Sequence, residues 1–201
     1  FSLSNLDRRQ LTSRQFKAVT EPVRGYPVTF DVHLAISNRA VFRDALRFED
    51  CLETAQPLAE IGGRCPDGAT LLMHACLHRI AHGRNAQGDR LLWLYDIHLL
   101  FSALSHEERD RVLREALARR LGGTCAHGLR RCRSAFGTPV DDAFLTELES
   151  QAAGEPASRL LHAGKWSWLW SDLRGEPGIE RRARYLMEVI GNQAPLKRLA
   201  G

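Results

Sequence analysis

Lysine is nearly missing from this chain: Lys17, Lys165 and Lys197 are the only three among 28 basic residues, and arginine supplies the rest. The formal net charge is only +4 despite a pI near 9.0, so the composition lacks the strong single-sign field of a nucleic-acid binder. The arginines gather at Arg119-Arg120, at Arg130, Arg131 and Arg133, and at Arg181, Arg182 and Arg184, each on the polar side of a predicted helix. A solvated helix face accounts for such clusters, because phosphate binding requires several guanidinia to converge. Also missing is an apolar run of the roughly 18 to 20 residues that a membrane span needs. The longest, Leu91 to Phe101, is interrupted by Asp96 and His98, so no membrane insertion is expected. No charged region followed by an apolar stretch opens the chain, which removes a secretory signal and makes the cytoplasm the expected compartment. The five cysteines, at 51, 65, 76, 125 and 132, are odd in number and lack C-x-x-C spacing, so they read as reduced thiols. Internal repeats and low-complexity tracts are absent.

What is present is an ordinary globular composition, 44% hydrophobic and 26% charged over 201 residues, enough for one sizeable core or two small ones. The first 13 residues are polar and aperiodic, and the chain opens at Phe1 without an initiator methionine, so it reads as part of a longer protein. Extended patterns over Arg14 to Glu21 and Val28 to Ile36, separated by turn residues around Gly25, predict a β-hairpin. Along its second strand Val28, Phe30, Val32, Leu34 and Ile36 alternate with Thr29, Asp31, His33 and Ala35. Asp31 and His33 therefore share a face, roughly 6 to 7 Å apart.

Beyond Asn38 the signal is helical. A first helix is expected over Ala40 to Arg47, then an irregular segment with Pro57 and Gly62-Gly63. Pro66-Asp67 suits the start of a helix that Gly83 closes, and a second helix runs from about Asp89 to Ala103. Ser105 with Glu108 forms a capping box ahead of the stripe Val112, Leu113, Ala116, Leu117 and Leu121, which Gly122-Gly123 should end. Further helices carry Leu129 and Cys132, then Leu145 and Leu148, and a last one begins near Gly178 with Ile179, Ala183, Leu186 and Ile190 inward. The expected class is α+β, predominantly α: an N-terminal β-hairpin portion over residues 1–37 followed by a multi-helix domain over 38–201.

Two helices carry the most chemistry. His74, His78 and His82 stand four apart and form a ladder beside the core stripe of Leu72, Met73, Cys76, Leu77 and Ile80. Asp96 sits in a segment apolar nearly all round, read as a buried central helix, where an unpaired carboxylate would cost several kcal/mol. His78 or His82 is its expected partner, making a structural cluster of His78, His82 and Asp96. A zinc reading of the ladder, as in a His/Asp metal-dependent hydrolase, lacks a His-Glu-x-x-His signature. Trp166, Trp168 and Trp170 lack helical spacing and suit packing better than base stacking, and Cys76 and Cys132 fall on apolar stripes.

Val28-Thr29-Phe30-Asp31-Val32-His33-Leu34, Cys76-Leu77-His78-Arg79-Ile80-Ala81-His82 and Leu92-Trp93-Leu94-Tyr95-Asp96-Ile97 occur in an order and spacing that is similar to a bacterial nucleotidyltransferase family. That family is distantly related to the DNA polymerase beta-like nucleotidyltransferase superfamily, and residues 14–136 resemble its C-terminal portion. The resemblance implies transfer of a nucleotidyl group from a nucleoside triphosphate to an unknown acceptor, with Mg2+ or Mn2+ as cofactor. Asp31 matches the third metal-binding carboxylate and so carries both the catalytic and the metal assignment, while His33 and Arg130 are assigned to the nucleotide pocket. Two cations require several oxygen ligands. No Gly-Ser turn leading to an Asp-x-Asp strand occurs here, so the remaining carboxylates are expected upstream of Phe1 and these 201 residues are expected to be inactive alone. The alternative is a non-catalytic binding or regulatory module of the same shape. A lone hairpin leaves open strand edges, through which a homodimer is expected.

Overall fold

The computed structural model describes residues 15–19, 29–33, 36–37, 40–42, 44–59, 62–82, 89–155, 165–176 and 178–193. The expected hairpin is there: β1 (Gln15–Val19) pairs antiparallel with β2 (Thr29–His33) in a two-stranded sheet. Its turn residues, and Gly83, lie outside the described residues. The chain is α+β and mostly α, as its sequence pattern implied.

The segment after the hairpin departs from expectation. No helix covers Ala40 to Arg47; a single 3-10 turn spans Ala40–Phe42, and α1 runs over Phe48–Glu53. The helix starts late because the Asp50 carboxylate reaches back to accept the Arg47 backbone N–H at 2.7 Å, satisfying a donor that helix geometry leaves open. Around Pro57 the chain forms a second small hairpin, β3 (Gln56–Leu58) with β4 (Gly63–Cys65), where irregular structure was expected. Strands of three residues are too short to display a period of two.

The helical body follows its sequence signals closely. Asp67 accepts the Thr70 N–H at 2.9 Å and opens α2 (Gly68–His82). Next comes α3 (Leu91–Ala103), and the capping box of Ser105 and Glu108 then opens α4 (His106–Ala118). After α5 (Gly122–Phe136), Asp141 caps α6 (Asp142–Glu149). The last two helices are α7 (Lys165–Gly175) and α8 (Ile179–Gln193). Leu72, Met73, Cys76 and Leu77 of α2 meet Leu94, Ile97 and Phe101 of α3, Val112 and Ala116 of α4, and Leu129 and Cys132 of α5 in one buried cluster. Leu145 and Leu148 of α6 complete it from the far side of α5.

Two expectations about helix faces are overturned. Only one stripe of α3 is buried; Leu91, Leu92, Tyr95 and Leu99 are exposed, so α3 lies at the edge of the bundle rather than at its centre. In α8, Ile179 is 85% exposed instead of inward. An apolar pattern states that a face can be buried, not that a neighbour covers it.

Gly122-Gly123 also serves differently. Rather than ending α4, which stops at Arg119-Arg120 with Arg120 at φ 59, the pair begins α5. A Cβ on Gly122 would overlap the Leu148 carbonyl oxygen and stand 3.1 Å from Glu155 Oε1. The glycine permits close approach of α5 to the end of α6. Gly122→Ala is expected to destabilise the protein by about 2 kcal/mol or more, read as a lower urea midpoint with unchanged slope.

Candidate functional site

Asp31 is the central residue of β2 and stands opposite Lys17 in the strand register; His33 stands opposite Gln15. A two-cation centre needs several oxygen donors, and the residue across from Asp31 carries an ammonium instead. Among the described residues no three His, Cys, Asp or Glu side chains are grouped to hold a metal ion.

On α2 the His74 and His78 rings lie 5.9 Å apart, and His78 meets the edge of Trp93 at 5.7 Å. The Arg90 guanidinium covers the Trp93 ring at 5.0 Å. These four side chains join α2 to the start of α3 as a partly exposed imidazole and indole surface. The His82 side chain lies outside the described residues. Asp96 does not need a buried partner: it is exposed. The buried stripe of α3 is Leu94, Ile97 and Phe101, spaced three and four apart, and that spacing rotates Asp96 toward solvent.

The buried charge belongs to Arg79, which sequence reasoning passed over. It is 1% exposed, pairs with Asp89 at 3.3 Å and hydrogen-bonds His127 Nδ1 through its terminal nitrogens. A guanidinium has only donors, so Nδ1 must present its lone pair and His127 is neutral, with its proton on Nε2. Asp89 also accepts from Arg131 at 3.0 Å. His127 thus helps tie α2 to α5. The buried charge's signal in the sequence was an Arg beside the apolar stripe of α2. Asp89→Ala leaves Arg79 buried without a counter-charge and is expected to cost about 3 kcal/mol. Adding Arg79→Met should recover much of that loss, which a four-protein urea series checks.

A second ionic group surrounds a small cleft lined by Asp50, Thr54, Thr70, Met73, Arg111 and Arg119. Arg119 meets Asp50 at 2.9 Å and Glu115 at 2.9 Å, while Arg111 pairs with Asp67. Its two guanidinia are already neutralised, so the cleft is not an anion site. Burial works to raise the Asp50 carboxyl, but the Arg47 N–H and the Arg47 and Arg119 guanidinia outweigh it and hold the group at about 2. A depressed carboxyl contributes stability above its unfolded value of about 3.9, and that contribution disappears as pH falls toward 2. Asp50→Asn is expected to cost about 2 kcal/mol at pH 7 and little near pH 2, measured by thermal unfolding across that range.

Arg130, assigned to a nucleotide pocket, is exposed on α5 and held by Glu149 through two bonds of 2.8 and 2.7 Å. Its neighbour Arg133 pairs with Asp142 at 2.8 Å. The structure does not bring Arg130 together with His78 or Asp96 in any described contact. Glu155 is another residue the sequence did not single out. Leu121 supplies no side-chain cap for α5, and the buried Glu155 carboxylate accepts the Gly123 N–H at 3.0 and 3.1 Å instead. Burial pushes its pKa up, against the opposing pull of these N–H groups.

Residues 7–137, well over half of the chain and extending from before β1 to the end of α5, match a family described as an uncharacterised nucleotidyltransferase. The chain belongs to that family. No curated protein and no solved structure matches it. Among the described residues, no helix is long and apolar enough to cross a membrane.

Proposed function

We propose that this chain takes part in metal-dependent transfer of a nucleotidyl group from a nucleoside triphosphate to an acceptor. The observation that carries the reading is the family match across residues 7–137, which includes β2 with Asp31 at its centre. In this reading Asp31 is one carboxylate ligand of a divalent cation, Mg2+ or Mn2+, and His33, two residues along the same strand, contacts phosphate or acceptor. The cation, when bound, supplies charge stabilisation at the phosphates. One carboxylate does not by itself hold such an ion, so this reading requires further oxygen donors beside Asp31.

The alternative is a binding or regulatory module of the same family without catalysis. Labelled nucleoside triphosphates and Mg2+ given to the full-length protein separate the two. Transfer of label that falls at least 100-fold in Asp31→Ala supports the first reading, and transfer unchanged by that substitution overturns the role of Asp31. Nucleotide binding without transfer supports the second.

A further inference from the structure

We propose that His74 and His78 form a two-donor site on α2 for an exchangeable divalent cation of the zinc and copper class, separate from any Mg2+ or Mn2+ beside Asp31. Residues four apart on a helix stand one above the other, so the fold of α2 alone assembles the pair. The two ring centres are 5.9 Å apart, and the ring planes are inclined at 48° rather than stacked flat. Two imidazoles that share a cation through nitrogens at about 2.0–2.1 Å place their ring centres roughly 5 to 6 Å apart. The pair thus already stands at chelating separation, and small side-chain rotations aim one nitrogen of each ring at a common point.

Both rings are half-exposed, within reach of a dissolved ion, and Ala75 beside them presents only a methyl group. Trp93 packs against His78 with ring centres 5.7 Å apart and planes perpendicular, which restricts the swing of that imidazole before any ion arrives. Arg79, next along the helix, is buried and balanced by Asp89, while Arg90 over the Trp93 ring keeps one positive charge nearby. With that charge and only two protein donors the site holds its ion loosely, leaving coordination positions for water or for a donor on another molecule.

Donor chemistry selects the ion. Imidazole suits zinc, copper and nickel, whereas Mg2+ takes oxygen ligands and keeps several of its waters. A structural zinc centre uses four protein ligands and a catalytic one three, and no group of three His, Cys, Asp or Glu side chains occurs among the described residues. The pair is therefore suited to regulation by a metal and not to hydrolysis. An ion spanning one turn of α2 favours the folded helix and stabilises the chain by mass action, apart from nucleotidyl transfer.

Titration calorimetry of the full chain against Zn2+, without a polyhistidine tag, tests the proposal. The expected result is a saturable micromolar site that is at least about tenfold weaker in His74→Gln and in His78→Gln, each with unchanged circular dichroism. Asp31→Ala should bind zinc like the parent, and a large excess of Mg2+ should not displace it. Cu2+, which takes the same donors, should quench tryptophan emission in the parent, with much of that quenching missing from Trp93→Phe. The proposal is overturned by binding only at millimolar zinc, by histidine variants that bind like the parent, by loss of binding in Asp31→Ala, or by displacement with Mg2+. If the histidine variants misfold, copper decides: quenching equal in the parent and in Trp93→Phe overturns it.

Discussion

A guanidinium sealed inside the helical bundle sets the terms for the rest of this structure. Arg79 lies on the same helix as Leu72, Cys76 and Leu77, at 1% exposure, and a charge so placed must be matched within the protein. Its partners come from distant parts of the chain: Asp89 just before α3, and His127 on α5. Three segments are thereby held to one geometry, and His127 is held to one tautomer. Moving either helix would take acceptors from the terminal nitrogens of Arg79, whose Nε is already buried without one.

Around that anchor the packing is dense and uses small groups where helices approach. Cys76, Cys125 and Cys132 are fully buried between α2 and α5, and Gly128 lets Cys76 Sγ come to 3.2 Å from where its Cβ would be. A hydrogen bond with Cys76, followed by burial, pushes the Cys125 thiol well up, and burial chiefly pushes Cys132 to about 12. Thiols so placed stay protonated and serve as packing groups. The C-terminal side of the bundle is closed by Glu155, which caps α5 from outside the helix and fixes the strand of chain that follows α6.

The family relationship and the surface chemistry divide the chain differently. Residues 7–137 carry the nucleotidyltransferase relationship, and the exposed arginine clusters there are neutralised by Glu149, Asp89 and Asp142. Exposed arginines without an ion pair among the described residues occur both there, at Arg64, Arg90, Arg114 and Arg120, and on α7 and α8, at Arg174, Arg181 and Arg184.

Local signals were legible because local physics produces them. The alternation through Asp31 announced β2, and Asp67 and Ser105 marked helix starts, since caps and strand periods depend on residues within a few positions. The order of the motifs around Asp31, His78 and Asp96 also carried the family. What the sequence could not decide was which apolar or charged face finds a neighbour. Asp96 and Arg79 both lie on largely apolar helices, yet one faces solvent and the other is buried, and Gly122-Gly123 opens a helix where it was expected to close one. Those outcomes depend on partners 10 to 48 positions away, such as Asp89, His127 and Glu155, and only the tertiary structure brings such partners within bonding distance.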